Sequence, residues 1–330
     1  MRIEKLSFAS GENGDGFYYV WEPKNFIKPK LWLHIMHGMA EHSARYEAFA
    51  AFLNEHGVYV TADDHRGHGK TGEANGNLFH LADDNGWNQM VDDQWQLISH
   101  IGAQHDLPLV IFGHSMGSFL ATRFCQHYGA LHESRLMGLI LSGSNYAPSW
   151  VTRSASLIAR VERARCGKRN SSSVLEALSF GAFNKAFKPS RTEKDWLSSD
   201  PQVVDRYLAD PLCGGPLTTQ SWYDFLRGLA ELSSPTAMAK ISCDLPIYVF
   251  SGALDPVGQH GKGITDLVNV LHRAGVREVQ SKLYAGGRHE MLNEVNYQEV
   301  YEDVWQWLAG LSIAQAEVLD LTGIGGAESG

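Results

Sequence analysis

The chain is poor in the features that mark several protein classes. It has only four cysteines in 330 residues, Cys125, Cys166, Cys213 and Cys243, with no C-x-x-C pair. That excludes a disulfide framework and a zinc knuckle. No apolar run approaches the ~18 residues a spanning helix requires, and mean hydropathy is −0.23. The opening residues, MRIEKLSFASGENGDGF, lack the continuous apolar stretch of a secretory signal, so a soluble cytoplasmic protein is expected. Basic residues are in deficit. The 28 Lys and Arg against 37 Asp and Glu give a net charge of −9, the wrong balance for a nucleic-acid partner. Internal repeats are missing as well.

What is present is ordinary globular composition, 44% hydrophobic and 20% charged, in a length that suits one large α/β domain with an insertion. Strand-like runs occur at LSFAS, FYYVW, LWLHIM (31–36), VYVTAD (58–63), LPLVIF (107–112), LMGLILSG (136–143), LPIYVFSG (245–252) and VQSKLYAG (279–286). The later runs are nearly all apolar, as strands covered on both faces must be. Helical periodicity falls at 43–55, 86–104, 115–128, 263–274 and 297–310. The glycines and asparagine of GENGDG make the first two strands a hairpin at the sheet edge. This alternation predicts an α/β fold with a mostly parallel central sheet and helices on both faces. The rhythm stops between 145 and 236, where helical patches and polar breaks predict a helical cap. The expected organisation is a core over 1–144 and 237–311, a cap over 145–236 and a tail over 312–330.

The chemistry centres on Gly113-His114-Ser115-Met116-Gly117, directly after LPLVIF and directly before a helical run. A bare G-x-S-x-G is weak evidence; its place between strand and helix raises it. A sharp strand-to-helix turn needs small residues two before and two after the serine, and it sets Ser115 at the positive helix end. A serine hydroxyl then needs a base, and the base needs a carboxylate to fix its tautomer. Asp255 follows one strand in SGALDPVG and His289 follows the next in GGRHEML, in the chain order Ser, Asp, His. Asp63 and Asp64, after another strand, are the alternative acids. Backbone N–H groups of Met116 and Met39 are the candidates for an oxyanion hole.

HGMAEHSARY (37–46), DHRGHGKT (64–71), GHSMG (113–117), the LDP of SGALDPVG and the His289 loop together resemble the monoacylglycerol lipase and lysophospholipase group of α/β-hydrolases, grouped more broadly as serine aminopeptidase-like hydrolases. The likeness runs to about residue 311. It implies an α/β-hydrolase fold, Ser115 as nucleophile, His289 as base, Asp255 as acid, and Met39 and Met116 as oxyanion donors. It also sets Glu41, Arg45 and His114 near the substrate, the first two by its alcohol; a buried ion pair supporting the loop is the competing reading of Glu41 and Arg45. Some relatives carry a second histidine three residues after the base, where this chain has Leu292.

These residues imply no cofactor. His65 and His68 have H-x-x-H spacing but no third ligand, so no metal is expected. The partner is a small lipid or ester, a monoacylglycerol-type monoester first; a lysophospholipid, a short ester or a peptide is the alternative on the same scaffold. An aminopeptidase would use cap carboxylates, for which Glu162, Glu176 and Glu193 are candidates. A non-catalytic binding protein on this fold usually lacks a triad member. Val151, Leu157, Ile158 and Val161 lie opposite Arg160, Arg163, Arg165 and Lys168, a candidate membrane-surface helix. Leu157, Val161, Leu175, Leu178, Phe180, Phe183, Phe187, Trp222, Phe225 and Leu229 are the expected inward lining of the cap. Oligomeric state is left open.

Overall fold

A computed structural model describes residues 1–7, 14–24, 27–132 and 135–323, with the side chains of 312–323 left aside. Eight strands form one sheet: β1 (Arg2–Ser7), β2 (Asp15–Trp21), β3 (Leu31–Met36), β4 (Val58–Asp63), β5 (Leu109–His114), β6 (Leu136–Ser142), β7 (Ile247–Gly252) and β8 (Val279–Tyr284). Their order is β1-β2-β4-β3-β5-β6-β7-β8. From β4 to β8 every neighbouring pair is parallel; β1 and β2 are antiparallel at the edge, with Ser7 opposite Asp15. The expected eight strands are all present. The first starts earlier than LSFAS, and residues 8–13 of the intervening turn lie outside the described residues.

The helices are α1 (Glu47–Glu55), α2 (Gly69–Ala74), α3 (Gly86–Gly102), α4 (Met116–Tyr128), α5 (Ser149–Cys166), α6 (Ser173–Leu178), α7 (Phe180–Phe183), α8 (Pro201–Ala209), α9 (Thr219–Leu232), α10 (Pro235–Met238), α11 (Lys262–Arg273) and α12 (Tyr297–Gly323). Alternate residues of the central strands feed opposite cores, as the two-residue period requires. Trp32, Met36, Ile111, Leu139 and Leu141 pack with α3, α4 and α11. Leu33, Ile35, Val110, Phe112 and Ile140 pack with α1 and α12. Helix α12 continues past the expected start of the tail at 312, and residues 324–330 lie outside the described residues.

Between β6 and β7 the chain carries helices and loops, with no strand of the sheet. Helix α9 ties this region to the core: Phe225 meets Phe119 and Trp87, and a Cβ on Gly228 would sit 2.3 Å from the Trp87 ring. The expected inward lining is corrected at three positions. Leu157, Val161 and Leu178 are 59%, 65% and 63% exposed. For Leu157 and Val161 the reason is that α5 turns Thr152, Ser156, Ala159 and Glu162 inward, a narrow face of small and polar residues, and leaves its apolar stripe in solvent; Leu178 is the last residue of α6, whose buried side chain is Leu175.

The chain leaves β3 for β4 on one side, and β5 returns on the other. In such sheets the crevice beyond the carboxyl ends at this reversal is the natural ligand site. The segments after Met36 and His114 both emerge there.

Candidate active site

Ser115 is the only residue between the end of β5 and the start of α4, and its backbone takes φ 51° and ψ −117°. A non-glycine residue at positive φ is held against its preference, and such outliers cluster at functional sites. The flanking glycines make the turn sterically feasible. A Cβ on Gly113 would lie 2.3 Å from the Gly117 carbonyl oxygen, and a Cβ on Gly117 would lie 2.0 Å from that of Met36. The Ser115 N–H donates to the Ser142 carbonyl at 2.8 Å, which fixes the turn against the end of β6.

Asp255 and His289 are brought together. The loops after β7 and β8 touch so closely that a Cβ on Gly252 would lie 2.2 Å from the Gly287 carbonyl. Their side chains meet as His289 Nδ1–H donating to Asp255 Oδ2 at 3.0 Å. Ser251 Oγ and Val257 N–H donate to the same carboxylate at 2.7 and 2.8 Å. Burial works against the Asp255 anion, but His289 and these donors hold its carboxyl below the usual range. Burial also works against a charged His289, and the Asp255 carboxylate outweighs it, raising the imidazole pKa. Asp63 and Asp64 bond elsewhere, to His65 and Gln94, and to Ser43, Lys70 and Tyr19.

His289 reaches the end of β6, where a Cβ on Gly143 would lie 2.9 Å from its Cε1 and 3.1 Å from His114 Cε1. The segment after β3 closes the other side, where a Cβ on Gly38 would lie 3.4 Å from Ser115 Cβ. Met39 follows Gly38, and Met116 is the first residue of α4, where an N–H has no acceptor within its helix. The ring of His114 packs between Gly38 and His289, 4.8 Å from the latter. Burial and the neighbouring His289 push its pKa down to about 4, so it is neutral near pH 7.

Glu41 and Arg45 pair with each other at 2.6 Å, and Arg45 also grips Glu290 with two N–H groups at 2.9 and 2.6 Å. The buried ion pair is thus present. Glu290 was not among the residues picked from sequence, nor was Trp196, whose ring lies 4.9 Å from that of His289. The available signal for Glu290 was its position directly after His289.

His65 and His68 are not arranged as ligands: His65 bonds Asp63 at 2.8 Å and stacks 3.9 Å from His37, and His68 bonds the Arg66 carbonyl at 3.1 Å. Among the described residues one group, His42, Asp210 and Cys213, has donor atoms within 4.8 Å of one another. His42 Nε2–H already donates to Asp210 at 2.9 Å, and burial pushes the Cys213 thiol far above its usual range, leaving a poor ligand. Of the cap carboxylates, Glu162 is taken by Arg165 and Ser172, and Glu176 accepts from Trp222 at 3.3 Å; Glu193 is exposed.

Residues 27–296 match the family described as serine aminopeptidase, S33. The chain belongs to that family. Among its relatives, a monoacylglycerol lipase of Mycolicibacterium smegmatis is 30% identical over 296 residues, 88% of this chain and 91% of that one. A human monoglyceride lipase is 25% identical, covering 90% and 88%. A solved carboxyl esterase from Bacillus coagulans, in complex with glycerol, is 31% identical with a TM-score of 0.83 over 94% of this chain and 99% of that one. This S33 member is an α/β-hydrolase fold enzyme, an ester hydrolase similar to these proteins.

Proposed function

We propose that the protein cleaves monoacylglycerol-type lipid monoesters through an acyl-enzyme. Ser115 Oγ attacks the ester carbonyl and passes its proton to His289 Nε2. The C–O bond breaks, and His289 returns that proton to the leaving alcohol. Water, deprotonated by the same imidazole, then releases the fatty acid and restores Ser115. Met39 and Met116 N–H groups stabilise the oxyanion. The observation that carries this reading is the 3.0 Å His289–Asp255 contact, together with a serine held at φ 51° between strand and helix. The names of the relatives support the substrate class.

The cap over 145–236 supplies the wall for the acyl chain. Phe180 stacks on Trp196, and Trp222 lies 5.8 Å from Phe180, so an apolar surface leads away from His289. Each methylene held against such a surface contributes about 0.8 kcal/mol. The exposed apolar stripe of α5 brings the cap to a lipid surface, and the four free cysteines fit a cytoplasmic setting. Glyceryl monoesters of graded acyl length, one lysophospholipid and one aminoacyl arylamide test the reading. The expected result is kcat/KM rising from four to eight carbons. A flat profile means a short-chain esterase, and preference for the arylamide overturns the lipid assignment.

A further inference from the structure

We propose that Glu290 and Arg45 are positioning residues that clamp the His289 loop to the oxyanion loop, and that they do not read the substrate's alcohol. This rests on the triad reading above. The connection is continuous. Gly38 N–H donates to Glu41 Oε1 at 2.6 Å, Glu41 Oε2 accepts from Arg45, and Arg45 holds Glu290, the residue after His289. Every carboxylate oxygen is engaged: Glu41 Oε1 also accepts from Tyr46 at 2.9 Å, and Glu290 Oε2 from Asn293 at 3.1 Å. The three side chains are 13%, 5% and 5% exposed. From the cap, Tyr207 covers the Arg45 guanidinium at 4.9 Å, and its hydroxyl donates to the Ala40 carbonyl at 2.9 Å. A fork held by two carboxylates fixes distance and angle together, which suits a part that keeps base and oxyanion donors in register.

The clamp also carries charge, since two carboxylates and one guanidinium leave a net negative unit beside the base. The other groups around His289 are Asp255 after β7 and His114 at the end of β5, while the cap sets the uncharged Trp196 on its ring. Arg288 of its own loop is turned to the Asp195 and Ser198 carbonyls of the cap.

The test is Glu290→Gln, assayed on the methyl and glyceryl esters of one fatty acid with a pH profile for each. Loss of the fork is expected to lower kcat about 10–100-fold on both esters alike, with KM little changed. The acid limb of kcat/KM should move to lower pH, because one carboxylate favouring the imidazolium is gone. A loss confined to the glyceryl ester or expressed in KM, an unchanged kcat, or an unmoved acid limb overturns the proposal. Should circular dichroism show Glu290→Gln unfolded, Arg45→Lys is measured for the same equal loss on both esters, since lysine keeps the charge without the fork. A serine-directed fluorophosphonate keeps the two readings apart: failure to label Ser115 in the parent sinks the triad itself.

Discussion

His289 sits under opposed influences, and their balance has a measurable sign. Burial favours the neutral ring, the Asp255 carboxylate at 3.0 Å favours the imidazolium, and the carboxylate wins. A general base must be neutral, so activity on a neutral ester should fall as pH drops through a value above the ordinary imidazole pKa of 6.5. Asp255→Asn removes the charge and leaves the tautomer unfixed. It should cost on the order of 10⁴ in kcat with the fold retained. A pH-rate profile of both proteins checks this, and full activity in the variant would remove Asp255 from the mechanism. His114 contributes no competing titration near neutrality, because its pKa is held near 4.

At the scale of elements, α4 approaches β3 so closely that position 117 has no room for a side chain. Gly117→Ala puts a Cβ 2.0 Å from the Met36 carbonyl oxygen, a backbone atom that cannot swing away. The expected cost is about 1–3 kcal/mol in urea denaturation, with activity lost alongside. Gly129→Ala, at the other end of the same helix, serves as the tolerated comparison, because its nearest contact is 3.9 Å and its φ is −54°. Helix α5 makes a different prediction. Trp150, which is 72% exposed, and the stripe's Leu157, Ile158 and Val161 belong to none of the buried cores among the described residues. Replacing Leu157 and Val161 together by serine should leave thermal stability and hydrolysis of a dissolved short ester unchanged. Binding to anionic vesicles, read by co-sedimentation, should weaken. Undiminished binding would remove α5 from any membrane role.

For the whole molecule, the helical segment between β6 and β7 is joined to the sheet beside His289 as well as through α9. Buried Glu294 accepts from Arg288 N–H and from Ser199 N–H, each at 2.9 Å, and from the Ser199 hydroxyl. One carboxylate therefore ties the His289 loop to the chain entering α8. Glu294→Ala strands those donors, and each buried group without a partner costs about 1–3 kcal/mol. Calorimetry should show a clearly lowered Tm, whereas Glu22→Ala on the surface should barely move it. An unchanged Tm for Glu294→Ala would mean that this link contributes nothing to cap docking.

Local signals carried far in this protein. Strand-like runs marked all eight strands, most plainly β3, β4, β5 and β7, which are buried along their whole length and so read as nearly unbroken apolar runs. The G-x-S-x-G turn was legible because its glycines are demanded by contacts a few residues away, and Asp255 and His289 because each follows its strand directly. Contacts between distant segments left no such mark. Nothing in RHEML distinguishes Glu290 as a partner of Arg45, 245 residues earlier. The apolar residues of α5 read as buried because periodicity reports amphipathicity and not which face meets a neighbour. Only the packing of α5 on α9 turned Ala159 inward and left Val161 in solvent. The order Ser115, Asp255, His289 was thus legible in the sequence, each residue standing directly after its strand. The cap's lining and the ion clamp were decided by tertiary structure, since both depend on which segments the folded chain brings face to face.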